Sequence, residues 1–368
     1  MSLRIFRSLS FLLLSLLAAV ALLPANVTAH DLEPLTTELA NLEVPLESLS
    51  TVHISTNVTS AKLTHLHPCP ELKTCCQTFR VREQDQVWVI SSRHLGCNTK
   101  ATADSLQAFL YEKGVWQPKP IAEFYATDSA EVVTTAYVHG NRIDAGLSRA
   151  DGLAVYFQLI GKYDHQRAVR FVIYSWASDQ IKGQLKDVRY KAGRADEEAF
   201  HVARFLGRID NRVPIGVIGY SYGARILLGS MHLLGGGSFG GRKLERPSQG
   251  QAIRAALWAA AEHNTWPLPG HAHGQALPMA DEWLITVNCC DPALRRYAAV
   301  DKCASPTALG FAGLGGGLPT PLNERVKLMN VSNIVGGSHE MRLYLYAPAI
   351  AQPTAKLVLW YGDEEAGN

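Results

Sequence analysis

The sequence predicts an α/β domain: a doubly wound, mostly parallel sheet with a small N-terminal appendage. Three observations carry this. From Glu131 onward, short β-branched or apolar runs alternate with longer helical patterns, as they do where helices cover both faces of a parallel sheet. One of those runs passes through a glycine–serine–glycine turn directly into a helical pattern. The 368 residues are 47% hydrophobic and 18% charged, enough apolar material for a large core.

At the N-terminus, Arg4 and Arg7 precede an apolar run from Phe11 to Leu23, and Val27-Thr28-Ala29 has the small residues of a cleavage site. That three-part pattern predicts a signal peptide over residues 1–29 and an exported protein, periplasmic or extracellular. The run falls short of the about 20 residues that a spanning helix needs. An uncleaved N-terminal anchor is the alternative, and it is the one route to membrane attachment that the sequence offers. Residues 30–68 are polar and read as a linker or loosely ordered segment. Residues 69–126 read as a small unit of unstated role, with a strand-like run Gln86-Val87-Trp88-Val89-Ile90 and a helical run around Ala103 to Tyr111.

The main domain is expected over residues 127–352, with 353–368 as a C-terminal tail. Its strands are expected at Val132–Val138, Ala168–Tyr174, Pro214–Gly219, Ile253–Ala259, Trp283–Val287 and Lys327–Asn330. Helices are expected at Ser148–Ile160, Ala192–Gly207 and Ala224–Leu234. Gly235–Gly241 and Gly313–Gly317 carry no lysine and serine at phosphate-loop spacing, so they read as plain loops.

Several function classes recede on composition. The net charge is +2 with no long basic block, which gives no sign of a nucleic-acid partner. Seven cysteines fall into two clusters, Cys69, Cys75, Cys76 and Cys97, then Cys289, Cys290 and Cys303. In an oxidising compartment disulfides fit within each cluster, and the odd count leaves at least one thiol over. His65 and His67 beside the first cluster, and His271 with His273, are residue types that bind zinc or copper. The first group matches no standard zinc spacing, so neither a metal nor a cofactor is expected.

The chemistry concentrates in Ile215-Gly216-Val217-Ile218-Gly219-Tyr220-Ser221-Tyr222-Gly223-Ala224, a buried-strand pattern, then G-x-S-x-G, then a helix. A serine hydroxyl is a weak nucleophile and must be held exposed and fixed beside a base. A sharp strand-to-helix turn does that, provided small residues flank the serine two positions away. Gly219 and Gly223 satisfy that requirement. The turn also places Ser221 at a helix N-terminus, where free amides favour developing negative charge. Upstream, Thr134-Thr135-Ala136-Tyr137-Val138 runs as a strand into the loop His139-Gly140-Asn141-Arg142.

These segments, with a strand ending in Tyr174-Ser175-Trp176, resemble the α/β-hydrolase superfamily, and most of all a poorly characterised esterase-like branch. The resemblance covers residues from about Val132 to His339. It implies an oxyanion hole made of the backbone N–H groups of Tyr222 and Asn141, with His139 structural beneath the loop. It also implies the chain order serine, acid, histidine. Asp291, just past the strand Trp283–Val287 and followed by Pro292, is the implied acid. Glu262 is the rival acid, and Asp291 would also suit as a cap for a helix starting near Ala293. His339, in the glycine loop after the last strand, is the implied base. His263, His271 and His273 precede Asp291 and would break that order.

The resemblance thus implies a serine hydrolase acting on a small-molecule or lipid-like ester through Ser221, Asp291 and His339. Trp176, Tyr220 and Tyr222 suggest an aromatic-lined pocket. A secreted, non-catalytic binding module on the same scaffold is the alternative.

Overall fold

Strand order places the candidate residues, and it is read from a computed structural model describing residues 80–98, 100–162, 167–248, 250–300 and 305–361. The expected signal peptide, the 30–68 linker, His65, His67, Cys69, Cys75, Cys76 and Cys303 lie outside the described residues. Among the described residues nine strands form the main sheet: β1 (Gln86–Ser91), β2 (Gln107–Glu112), β3 (Val115–Lys119), β4 (Val132–Val138), β5 (Ala168–Ser175), β6 (Ile215–Tyr220), β7 (Ile253–Trp258), β8 (Glu282–Val287) and β9 (Val326–Asn330). They lie in the order β9-β8-β7-β6-β4-β5-β1-β2-β3. Every pairing from β9 to β1 is parallel. The six strands expected from the β-branched runs are present to within one residue at each end. The apolar runs of the inner strands are continuous because helices bury both sides of them, whereas the edge strand β9 leaves Lys327 and Leu328 exposed.

The framing helices are α1 (Ile121–Ala126), α2 (Ala145–Leu159), α3 (Gln184–Gly207), α4 (Tyr222–Leu234), α5 (Pro292–Arg295), α6 (Met341–Tyr346) and α7 (Pro348–Val358). Register assigns them to faces. Thr135 lies opposite both Phe171 and Gly216 across neighbouring strands, so the three share one face. On that face a Cβ at Gly216 would stand 2.0 Å from the Val358 carbonyl oxygen, and Thr135 Oγ1 donates to the same oxygen at 3.2 Å. Gly152 lets α2 approach Ile173 there in the same way, since a Cβ would meet its side chain at 2.4 Å. From the other face the Tyr174 hydroxyl donates to Glu198 of α3 at 3.3 Å. Helices therefore lie on both faces, and the winding is double.

Three expectations need correction. The segment read as a separate N-terminal unit is built onto the sheet: β1 pairs in parallel with β5, and β2 and β3 add an antiparallel hairpin at the edge. The sheet thus starts well before residue 127. Residues 103–111 are not a helix but a short 3-10 turn leading into β2. Phe109 and Leu110 gain cross-strand partners in Val89 and Trp88, which local helical spacing cannot anticipate. Lys113 and Gly114, at φ 51° and 86°, close the hairpin with the two left-handed residues that a tight turn requires. Lastly, residue 353 lies inside α7, whose Thr354, Ala355 and Val358 are buried, so the supposed tail is core up to Leu359.

The chain adds β5 on one side of β4 and β6 on the other. Such a reversal opens a crevice at the carboxyl ends of the two strands. Ser221 and the His139–Arg142 loop both leave from that point.

Candidate active site

Ser221 occupies the one-residue turn between β6 and α4 at φ 54°, ψ −117°, a conformation that L-residues avoid. Holding it there costs about 1–3 kcal/mol. The surroundings leave it little choice. Its N–H donates to Trp258 O at 3.0 Å, while its carbonyl accepts from Ala224 N at 3.1 Å and Ala261 N at 3.2 Å. A Cβ at Gly219 would lie 2.7 Å from Ala224 Cα, and one at Gly223 would lie 2.0 Å from Val138 O. Both glycines are required by contact as well as by motif.

His339 approaches from the loop after β9, with Nε2 at 3.0 Å from Ser221 Oγ and Nδ1 at 2.6 Å from Asp291 Oδ2. The carboxylate fixes the tautomer: Nδ1–H donates to Asp291, leaving the Nε2 lone pair for the serine hydroxyl. Asp291 is fully buried, and its Oδ1 accepts from Ala293 N at 2.9 Å and Leu294 N at 3.0 Å. It is thus both the cap of α5 and the partner of His339. The two readings of this residue are compatible, because each uses a different carboxylate oxygen.

Neighbouring groups hold the histidine loop in place. Asn288 Nδ2 donates to Gly336 O at 2.9 Å, tying the acid loop to the histidine loop. The Tyr220 hydroxyl donates to the carbonyl of His339 itself. Trp176 and Tyr222 are buried in the framework instead of lining an open pocket, so of the three expected aromatics only Tyr220 touches the site. The brace through Asn288 carries no sequence motif. It follows from the loop positions that the sheet sets.

Opposite Ser221 runs the loop His139–Arg142. Gly140 is packed so tightly that a Cβ would stand 3.0 Å from Ser221 Cβ. Asn141 Nδ2 and Arg142 Nε both donate to the buried carboxylate of Asp187, at 3.0 and 2.9 Å. His139 is fully buried, and its ring stacks on Trp176 at 5.8 Å between centroids. Its Nδ1 bonds Gly140 O at 2.9 Å, and burial pushes its pKa down to about 3. It is a neutral support under the loop. Tyr222 is the first residue of α4, where backbone N–H groups have no partner within the helix.

Glu262 takes no part in this line, because His339 Nδ1 is engaged by Asp291. It is fully buried, accepts from His263 N at 3.0 Å, and lies 3.6 Å from His273 Nδ1. Burial pushes its pKa up to about 8 and that of His273 well down. Near it, Arg225, one helical turn beyond Ser221, meets both oxygens of Asp196, at 2.6 and 2.9 Å. Arg225, Arg189, His263 and Trp266 line a cavity of about 420 Å³. Among the described residues no group of three or more His, Cys, Asp or Glu could hold a metal ion, His271 and His273 included. Nor is any described helix long and apolar enough to cross a membrane. Cys97, Cys289 and Cys290 are free, exposed thiols.

A parallel sheet with its reversal at β4 and β6, and a strand–serine–helix turn at that point, make the fold α/β-hydrolase-like. No family model and no curated protein matches the chain. One solved structure that matches is a crystal structure of an inhibited esterase B from Lactobacillus rhamnosis. It has 13% identity and a TM-score of 0.33, over 78% of this chain and 92% of that one.

Proposed function

We propose that this chain is an exported serine hydrolase that cleaves carboxyl esters through an acyl-enzyme intermediate. The observation that carries the reading is the unbroken line Ser221 Oγ, His339 Nε2 and Nδ1, Asp291 Oδ2, with steps of 3.0 and 2.6 Å. A hydroxyl aligned this way can lose its proton to the imidazole as it attacks a carbonyl. Asp291 then faces the imidazolium and stabilises it without taking the proton.

In this reading Ser221 Oγ bonds to the ester carbonyl carbon, and the carbonyl oxygen takes the negative charge. The N–H groups of Tyr222 and Asn141 receive that oxyanion, one from a helix N-terminus and one from the loop braced by Asp187. His339 returns its proton to the departing alkoxide, then deprotonates the water that releases the acid. The substrate is a small-molecule or lipid-like ester, and the mechanism uses no cofactor. Export is inferred from Arg4, Arg7 and the Phe11–Leu23 run.

The test is labelling of the purified mature protein by a fluorophosphonate probe, with Ser221→Ala as control. Labelling of the wild type that disappears in the variant supports the activated serine. An unlabelled but well-folded wild type sinks it and favours the binding module.

A further inference from the structure

The turn that carries the proposed acid also carries two adjacent, exposed thiols, Cys289 and Cys290. Free cysteine is ordinarily among the most buried residue types, so an exposed pair is informative. The pair is not loosely hung. Cys289 N donates to Ser332 Oγ at 3.0 Å, and Cys289 Sγ lies 3.3 Å from the same hydroxyl. Cys290 N donates to Asn288 Oδ1 at 3.0 Å, and Asp291 N donates to Asn288 O at 3.2 Å. Asn288 in turn holds Gly336 of the histidine loop. Ser332 lies on the segment leading to His339, and Asn288 bonds both the amide of Asp291 and Gly336 of that segment, so the turn of the two thiols is tied to the acid and to the histidine loop.

The surroundings also separate this pair from the third described thiol. The Ser332 hydroxyl facing Cys289 lowers its pKa, and the Cys290 thiol adds to the effect. Cys97 is shifted the other way by its hydrogen bond to Glu197. Thiolate character and access together decide which cysteine reacts.

We propose that Cys289 and Cys290 form a dithiol modification site that closes to a disulfide by exchange with a low-molecular-weight disulfide, and that closure silences Ser221 through Asp291. The second half of this rests on the triad reading above. In the first step the Cys289 thiolate attacks one sulfur of the reagent. A Cys289–reagent S–S bond forms, the reagent's own S–S bond breaks, and one thiolate leaves. Cys290 then gives its proton to solvent and attacks Cys289 sulfur, expelling the second thiolate. The two protein sulfurs lose two electrons between them, and one reagent disulfide becomes two thiols.

Closure must disturb the turn. Adjacent Cα atoms across a trans peptide are about 3.8 Å apart, below the about 4.4 Å lower end for ordinary disulfides. The ring can close only if the Cys289–Cys290 peptide group moves, taking with it the amide that Asn288 holds. Such a disulfide is strained and easily reduced, which suits a reversible mark.

The experiment treats reduced protein with glutathione disulfide and maps it with trypsin. The peptide between Arg254 and Arg295 holds these two cysteines and no other. It is expected to lose two hydrogens in mass, while Cys290→Ser protein stops at the mixed disulfide. Fluorophosphonate labelling of Ser221 is expected to fall roughly tenfold or more and to return with dithiothreitol. The Cys289→Ser/Cys290→Ser protein should label normally and ignore the reagent. No reaction, a mixed adduct that persists in wild type, or linkage to another cysteine such as Cys303 overturns the dithiol. A closed disulfide with full labelling overturns the coupling. Reduced wild type that never labels refutes the triad reading, and the mass change still decides the dithiol.

Discussion

Asp291 and His339 can be set beside Glu262 and His273, a second carboxylate–histidine pair on the loop that leaves the neighbouring strand. Both carboxylates are fully buried, yet their surroundings differ. Asp291 receives two backbone amides on one oxygen and an imidazole N–H at 2.6 Å on the other. Glu262 receives one amide; its second oxygen has no hydrogen-bond partner, and neither has either nitrogen of His273. Burial is the largest cause that raises the Glu262 pKa to about 8 and depresses that of His273, with Arg225, His232 and His263 adding to the latter, so the fold favours the neutral form of each. The contrast teaches that burial alone does not align a carboxylate with a histidine and a hydroxyl. Donors aimed at the carboxylate, and a histidine whose far nitrogen meets a hydroxyl, are what separate the two sites.

The sharpest way to break this comparison is to exchange charge for amide in each pair. Asp291→Asn can still cap α5, but it presents the wrong partner to His339 Nδ1. Hydrolysis of an activated ester should fall by roughly 10⁴-fold, whereas Glu262→Gln should stay near the wild-type rate. Equal losses in steady-state kinetics would erase the distinction. A smaller but still severe effect is expected for Gly223→Ala, whose Cβ would meet Val138 O at 2.0 Å. Urea unfolding should show a loss of about 3 kcal/mol or more, and wild-type stability would show that the elbow tolerates a side chain.

The mildest effect concerns pH. The Glu262 carboxyl is held near pKa 8 in the fold against an ordinary 4.5, so the fold favours its neutral form. That contribution is complete below pH 4.5 and is lost as pH rises to about 8. Glu262→Gln stays neutral throughout. Its melting temperature should therefore gain on the wild type across that window and hold the gain above it. A constant gap from pH 4.5 to 8.5 would sink the assignment of a buried neutral acid.

How much of this was legible in the sequence depended on whether the signal was local. Strands β4 to β8 are apolar runs largely buried on both faces, so composition marks them, while β9 is an exposed edge strand. A strand–turn–helix pattern and chain order single out Ser221, Asp291 and His339 in the sequence, and the fold brings their side chains within hydrogen-bond reach. Hairpin β2–β3 was misread because Phe109 and Leu110 answer to partners about twenty residues upstream, in β1. The domain boundary expected at residue 352 falls inside helix α7, which continues through Pro353, although a proline usually ends a helix. Asp187 and Asn288, which brace the site, belong to no motif. Their roles arise only when the sheet brings distant loops together.

The Gly216 contact also governs the order in which the molecule can be completed. Residue 216 emerges from the ribosome long before residue 358, whose carbonyl rests against it. Until then one face of β6 is a bare apolar slot at the centre of the sheet. A nascent or truncated chain lacking 348–358 would offer that slot to chaperones or to other chains. Late-arriving α7 thus makes the protein vulnerable to premature termination near its far end, well away from the serine.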